Sequence, residues 1–241
     1  MNSKLKELLN MKRQPVAILK AAAPPEGAMG FKPGTTGACL IGMLEAAAGG
    51  RTAAFTEDAC GCGGGRAGLG FAPPDRERIV PFLSRGTAEM PGEFYKGSPA
   101  LAEAYLDALP AGHTAPCIVF KPLDQVAEDE TPASVVFLVN ADQLSGLVTL
   151  ASFDTSDGDA VQVRFGAGCA QAVLFAMADG EAGRERCTIG LTDPSGRLHL
   201  SRDLLSFSIP WKRFLAMEAN AADSFLTKET WTRLRARIYS Q

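Results

Sequence analysis

"TGACLIGMLEAAAGGRTAAFTED", residues 36–58, decides how this chain folds. Its first half is rich in helix formers and closes on Gly49 and Gly50, the residue type that ends helices, so the pattern predicts a helix starting near Cys39 with Thr35 or Thr36 as cap. The second half, "RTAAFTED", reads as a short strand. The same order returns at residues 166–194, "GAGCAQAVLFAMADGEAGRERCTIGLTDP": a glycine one or two residues before a cysteine, apolar helix, closing glycine, strand, acidic turn. Cys39 and Cys169 take the same place in it, at the first turn of each helix. The echo leaves two origins open, a weak internal duplication or two ordinary strand-helix-strand units.

Working outward, residues 4–11 carry Leu5, Leu8 and Leu9 at the spacing of a short amphipathic helix, and "PVAILK" after Pro15 reads as a buried strand. "SPALAEAYLDAL" predicts a helix capped by Ser98, with Leu101, Tyr105 and Leu109 along one face. "PCIVFKPL" and "SVVFLVN" predict further strands, "ADQLSGLVTLAS" a helix, and "AVQVRFGAG" a strand. "RCTIGLTDPSGR" reads as a strand leaving through a Pro-Ser-Gly turn, and "DLLSFSIP" as another. Trp231, Leu234 and Ile238 stripe a last helix, with Thr227 as its cap. No low-complexity linker divides these elements. The expectation is one compact α/β domain over residues 1–241, with a mixed sheet and packed helices; a mixed α+β arrangement is the neighbouring reading.

Composition narrows the function. Hydrophobic residues make up 46% and charged residues 21%, and a net charge of -3 argues against nucleic acid or an anionic membrane as partner. The first twenty residues lack a secretory signal's apolar stretch, and no run approaches the roughly 18 apolar residues of a membrane span, so the chain reads as cytoplasmic. In a reducing compartment the six cysteines read as buried thiols, metal ligands or redox groups rather than three disulfides. Only His113 and His199 are present, too few for a multi-histidine metal site, and no histidine-based triad can be assembled from them.

The chemistry therefore rests on sulfur. A cysteine at a helix start faces unpaired N–H groups that favour its thiolate, the form that binds metal or attacks, and Cys39 and Cys169 both fit. In "DACGCGGGRAGLG", residues 58–70, Cys60 and Cys62 are one residue apart, and their sulfurs can point the same way only if the backbone turns at Gly61. Gly63 and Gly64 then let backbone N–H groups approach an anion closely, and Arg66 could pair with one. Four thiols from separate element ends suit an iron–sulfur cluster, of [4Fe–4S] type, ligated by Cys39, Cys60, Cys62 and Cys169. Zinc is the alternative metal, although its structural sites usually use two Cys-x2-4-Cys pairs. Without metal, two readings remain: Cys60 and Cys62 as a strained dithiol/disulfide enzyme pair, or a non-catalytic module holding a small anion through the glycines and Arg66. Cys117 and Cys187 begin strands and read as core residues.

"KRQPVAI", "EDACGCGGGRAGLGF", "SPALAEAYLDALP", "FKPLDQV", "VVFLVNADQLSGLVTLASF", "FGAGCAQAV", "IGLTDPSGR" and "LLSFSIPWKRF" together resemble the uncharacterised ArCR-type family, a domain-of-unknown-function group of bacteria and archaea, over almost the whole chain. The resemblance implies a single domain with recurrent cysteines at Cys39, Cys60 and Cys169, and it brings no activity. Cys62 departs from the family pattern, where Cys-Pro-Gly-Gly often follows the first cysteine. The departure is either a fourth ligand of this branch or incidental. The expected role is redox, electron transfer or redox sensing, with a partner protein and with homo-oligomerisation left open.

Overall fold

"PVAILK" places apolar residues on both sides of an extended chain, the pattern of a strand covered on both faces. In the computed structural model, which describes residues 1–112 and 115–239, it is strand β1 (Val16–Ala21), near the middle of a seven-stranded sheet. The other strands are β2 (Ala53–Thr56), β3 (Cys117–Pro122), β4 (Ser134–Val139), β5 (Val161–Val163), β6 (Cys187–Gly190) and β7 (Leu205–Pro210). Their order across the sheet is β2-β3-β1-β4-β7-β6-β5, with every neighbouring pair antiparallel except β5 and β6.

The echo in the sequence becomes a symmetry of the sheet. Outward from the central β1–β4 pair, one side runs β1, β3, β2 and the other β4, β7, β6. Registers correspond: Val16 faces Pro122 where Ser134 faces Pro210, and Ala21 faces Cys117 where Val139 faces Leu205. In each half the cysteine-headed helix comes just before the outermost of these strands. The two halves are thus related by a local twofold axis between β1 and β4, with β5 added at one edge.

The two-residue period of the strands sorts the core into two layers. Val16, Ile18, Ile118, Phe120, Val136 and Leu138 face one way, onto α2 (Leu40–Ala48) and the helical segment after Cys169. Ala17, Leu19, Val119, Val135, Phe137 and Phe207 face the other. That second layer is covered by α1 (Lys4–Leu8), α6 (Ala141–Ala151), α9 (Trp211–Asn220) and α10 (Glu229–Arg237). Between them in the chain lie α3 (Gly63–Gly68), α4 (Arg76–Leu83), α5 (Pro99–Asp107), α7 (Phe175–Glu181) and α8 (Pro194–Arg197). Helices α4 and α5 share a small core of Val80, Leu83, Ala102 and Leu106.

Several local expectations change. Thr35 sits in a turn whose N–H bonds to the Lys32 carbonyl, and Gly37 at φ 78° separates the threonines from α2, so Cys39 itself takes the N-cap position. Leu101 is 56% exposed, because α5 turns Ala102 and Leu106 toward α4. Thr227 spends its hydroxyl on the Ser224 carbonyl, leaving Lys228 to open α10. The Pro-Ser-Gly turn is the first turn of α8, capped by Asp193. The helix after Cys169 opens with a π-turn, Ala170–Leu174, before continuing as α7. A π-turn interrupts the ordinary carbonyl pairing, and the Ser208 hydroxyl takes up the Ala172 carbonyl at 2.8 Å.

Candidate functional site

Three cysteines open three helical segments that meet on one face of the sheet. Cys39 is the N-cap of α2, Cys62 the N-cap of α3, and Cys169 immediately precedes the π-turn. The strand-to-helix turn at 60–62 is locked to the start of α2: the Ala38 N–H donates to the Gly61 carbonyl at 3.0 Å. Gly61 has φ 77°, and a Cβ there would lie 2.6 Å from the Ala38 oxygen, so only glycine fits. At the far end of α3, a Cβ on Gly68 would strike the Cys169 sulfur, so this helix packs its backbone directly on the Cys169 turn.

The sulfurs of Cys62 and Cys169 lie at opposite ends of one peptide group. The Gly65 N–H donates to the Cys62 sulfur at 3.1 Å, and the Cys169 thiol donates to the Gly64 carbonyl at 3.1 Å. Cys39 is in electrostatic contact with both, and the Ile41 N–H faces its sulfur without closing a cap hydrogen bond. Cys60 occupies the same region but turns differently. It is buried, and its thiol donates to the Thr56 carbonyl at 2.9 Å.

Burial raises the Cys39, Cys60 and Cys169 thiols above their usual range, Cys60 to about 12, and the neighbouring Cys62 sulfur pushes each of them further up. As free groups near neutral pH these three are protonated thiols, weak nucleophiles, and a bound cation is what converts such thiols to thiolates. Their hydrogen bonds agree, because donation to the Thr56 and Gly64 carbonyls requires the S–H proton. Among the described residues no group of three or more His, Cys, Asp or Glu side chains is arranged as a metal site. Metal ligation would therefore require the thiols to lose their protons and rotate off those carbonyls.

The other predicted residues divide. Gly64 supplies the carbonyl that Cys169 holds, Gly63 opens the first turn of α3 with open space where a Cβ would stand, and Gly61 makes the turn. Arg66 points outward into an ion pair with Glu57. That pair borders a cleft of about 720 Å3 lined by Thr56, Asp58, Phe71 and Pro116 as well. Cys117 and Cys187 lie in the opposite core layer, fully buried, apart from the site. His199 follows α8, and His113 lies outside the described residues.

Four residues complete the surroundings. Asp193 accepts the Gly168 N–H at 3.0 Å and binds the Ser195 N–H and hydroxyl, fixing the loop before Cys169. Buried Gln171 donates to the Arg164 carbonyl and the Thr192 hydroxyl and accepts the Thr192 N–H, tying together the two loops that carry Cys169 and Asp193. Between them Leu191 is held at φ 58°, a left-handed conformation costing a branched residue about 1–2 kcal/mol. Tyr105 stands beside Cys169 and Asp193, its phenol raised to about 12 chiefly by burial, with its ring edge-on to Phe165 at 4.9 Å. The Asp-Pro pair at 193–194 is a sequence signal for a capping turn. Gln171 and Tyr105 have no such signal, since their importance arises only from which loops they join.

Fold and site together define a mixed-sheet α/β protein with twofold-related halves and a thiol-lined junction of three helix starts. The chain belongs to the family described as uncharacterised ArCR (DUF169), whose model matches residues 4–220. No curated protein and no solved structure matches the chain. No helix among the described residues is long and apolar enough to cross a membrane.

Proposed function

We propose that this protein binds an iron–sulfur cluster at the junction of α2, α3 and the Cys169 turn and uses it in electron transfer or redox sensing. The observation that carries this reading is that Cys39, Cys62 and Cys169 each begin a different helical segment on one face of the sheet, with the Cys62 and Cys169 sulfurs hydrogen-bonded to the two ends of the Gly64–Gly65 peptide. Helix starts present N–H groups to sulfur, which favours the anionic state that cluster ligands must adopt. The surroundings are largely apolar, with Leu40, Ile41, Leu69 and Ala170 in the same buried cluster as Cys169. The dithiol alternative fits less well, because the Cys60 and Cys62 sulfurs face different backbone groups and the Cys60 thiol, raised to about 12, supplies almost no thiolate. All six cysteines are free, which suits a reducing cytoplasm, where the cluster would exchange electrons with a partner protein.

The test is anaerobic purification, followed by reconstitution with ferrous iron and sulfide. The expected product is brown, with iron and acid-labile sulfide in matching amounts. A colourless protein that takes up neither overturns the reading. Cys39→Ala is expected to lose most of the iron and visible absorbance, whereas a dithiol pair at Cys60 and Cys62 would be indifferent to it.

A further inference from the structure

Residues 72–108 form a unit with an interior of its own. Helices α4 and α5 pack chiefly on each other, around Val80, Leu83, Ala102 and Leu106, and Arg76 pairs with both Glu103 and Asp107 across them. The chain enters and leaves this unit through one neck. A Cβ on Gly112 would lie 2.2 Å from the Gly70 carbonyl oxygen, so the two passes of the chain touch backbone to backbone there, and Gly70 has φ 83°. Beside the neck, Phe71 and Leu109 pack on the core layer of Cys169. A body stiff within, joined to the rest by two adjoining segments with a glycine in each, has the build of a hinged element.

Its free side rests on the loops that lead into the thiol junction. The chain after α4 folds back on that helix, with the Glu93, Phe94 and Lys96 N–H groups donating to the Phe82, Ser84 and Leu83 carbonyls at 2.7, 3.1 and 2.8 Å. Phe94 takes φ 53° and leaves its ring 66% exposed, whereas Tyr95 packs edge-on to Phe82 and its hydroxyl reaches Ser195. The Lys96 ammonium lies 4.1 Å above the Phe165 ring. Tyr105, from α5, meets the same ring, and its hydroxyl faces the Ala167 backbone. These contacts are polar and aromatic, and all of them fall on residues 165–167 and 195.

We infer that residues 72–108 are a hinged lid, swinging about the Gly70–Gly112 neck and latched by Tyr95, Lys96 and Tyr105, and that its opening bares the 165–169 segment on one side of the thiol junction. The Cys169 sulfur itself stays packed beneath Gly68 of α3 when the lid lifts. The neck follows α3 directly, so the lid and the helix that Cys62 opens are joined through Leu69 and Gly70. The lid sets when a small molecule or a partner surface reaches the junction from that side. It holds whether or not a cluster is bound there.

The experiment is native-state hydrogen exchange on metal-free protein, read by mass spectrometry on peptides from α4, α5, residues 165–169 and the central strands β1 and β4. Wild type is compared with Lys96→Ala, Tyr95→Phe and the control Leu101→Ala, an exposed position on α5 outside the latch. In wild type α4 and α5 are expected to exchange together and ahead of β1 and β4, as one unit opening below global unfolding. Loss of the exposed cation–π contact in Lys96→Ala is expected to speed both helices and residues 165–169 by about two- to fivefold, leaving β1 and β4 unchanged. Tyr95→Phe is expected to act in the same direction, and Leu101→Ala not to. Helices that exchange only in step with β1 and β4 overturn the lid, a result that wild type alone supplies should a variant fail to fold. Faster helices with an unchanged 165–169 segment overturn the gating of the junction. An equal acceleration in Leu101→Ala, or none in Lys96→Ala and Tyr95→Phe, overturns the latch. None of these results depends on iron uptake, so failure of the lid and failure of the cluster reading are separate outcomes.

Discussion

Gly68→Ala probes the contact on which the site depends. An added Cβ would strike the Cys169 sulfur and come within 2.9 Å of the Ala170 nitrogen and the Cys169 Cβ, and a backbone nitrogen cannot be moved aside by a side-chain rotation. Overpacking of this kind typically costs about 1–3 kcal/mol, and alanine's higher helix propensity returns up to about 1 kcal/mol. The net loss is up to about 3 kcal/mol, and each kcal/mol lowers the melting temperature of a domain of this size by about 2–4 °C. Gly63→Ala is the internal control: it lies in the same helix, has no neighbour within 4 Å and does not use positive φ, so it is expected to be neutral or slightly stabilising. Thermal melts of the two metal-free variants by circular dichroism make the comparison. A Gly68→Ala protein as stable as Gly63→Ala would refute the close packing of α3 on the Cys169 turn.

Cys117→Ala and Cys187→Ala remove fully buried sulfurs from the opposite core layer, so each is expected to cost about 1–2 kcal/mol in packing and leave iron content unchanged; iron loss in either would place a ligand on the wrong face of the sheet. In metal-free native protein a thiol-reactive chromophore should modify half-buried Cys39 and Cys62 first and the remaining four cysteines only on unfolding, a count that fails if Cys60 or Cys169 reacts early. Burial raises the Glu218 carboxyl although Ser3, Lys4 and Leu5 donate to it, so its protonation stabilises the fold fully below the unfolded value of about 4.3 and that gain is lost as pH rises through the folded value. Glu218→Gln should therefore gain on wild type as pH climbs from about 4 toward neutrality in chemical-denaturation measurements; a constant difference would contradict the raised carboxyl. Asp154 behaves oppositely. Its carboxyl is lowered by Arg213, so its stabilisation is present above the unfolded value of about 3.9 and disappears as pH falls through the folded value. Asp154→Asn should accordingly cost about 1 kcal/mol at pH 7, Asp154 being solvent-exposed, and progressively less in acid, and an equal cost at both ends would remove this pair from the acid response.

The elements that were legible in the sequence share a physical trait: a strong period bounded by a capping or breaking residue. "PVAILK", "SVVFLVN" and "DLLSFSIP" became β1, β4 and β7, and the helix ending at Gly49 became α2. Misread details were those where one local signal competes with another. Leu101 looks apolar in the helix pattern, but which face of α5 is buried depends on where α4 lies. Thr227 looks like a cap, but its hydroxyl is taken by the preceding 3-10 turn. The π-turn after Cys169 carries no mark in "CAQAVLFAMADG", because it is stabilised by Ser208 from a distant strand.

The sequence by itself determined that Cys39 and Cys169 stand at corresponding helix starts and that Cys60-Gly61-Cys62 turns at a strand end, since helix formers, closing glycines and a glycine between the cysteines are local properties of the chain. It also determined the repeated order of elements on which the sheet's symmetry is built. Only the tertiary structure decided that the Cys62 and Cys169 sulfurs bond to the two ends of the Gly64–Gly65 peptide while Cys60 turns toward the Thr56 carbonyl, and that Cys117 and Cys187 fall in the opposite layer. The physical reason is that the facing of a side chain depends on the partner across the sheet or beneath the helix. Those partners are set by the pairing of β1 with β4 and by the approach of α3 to the Cys169 turn, contacts between residues 100 or more positions apart.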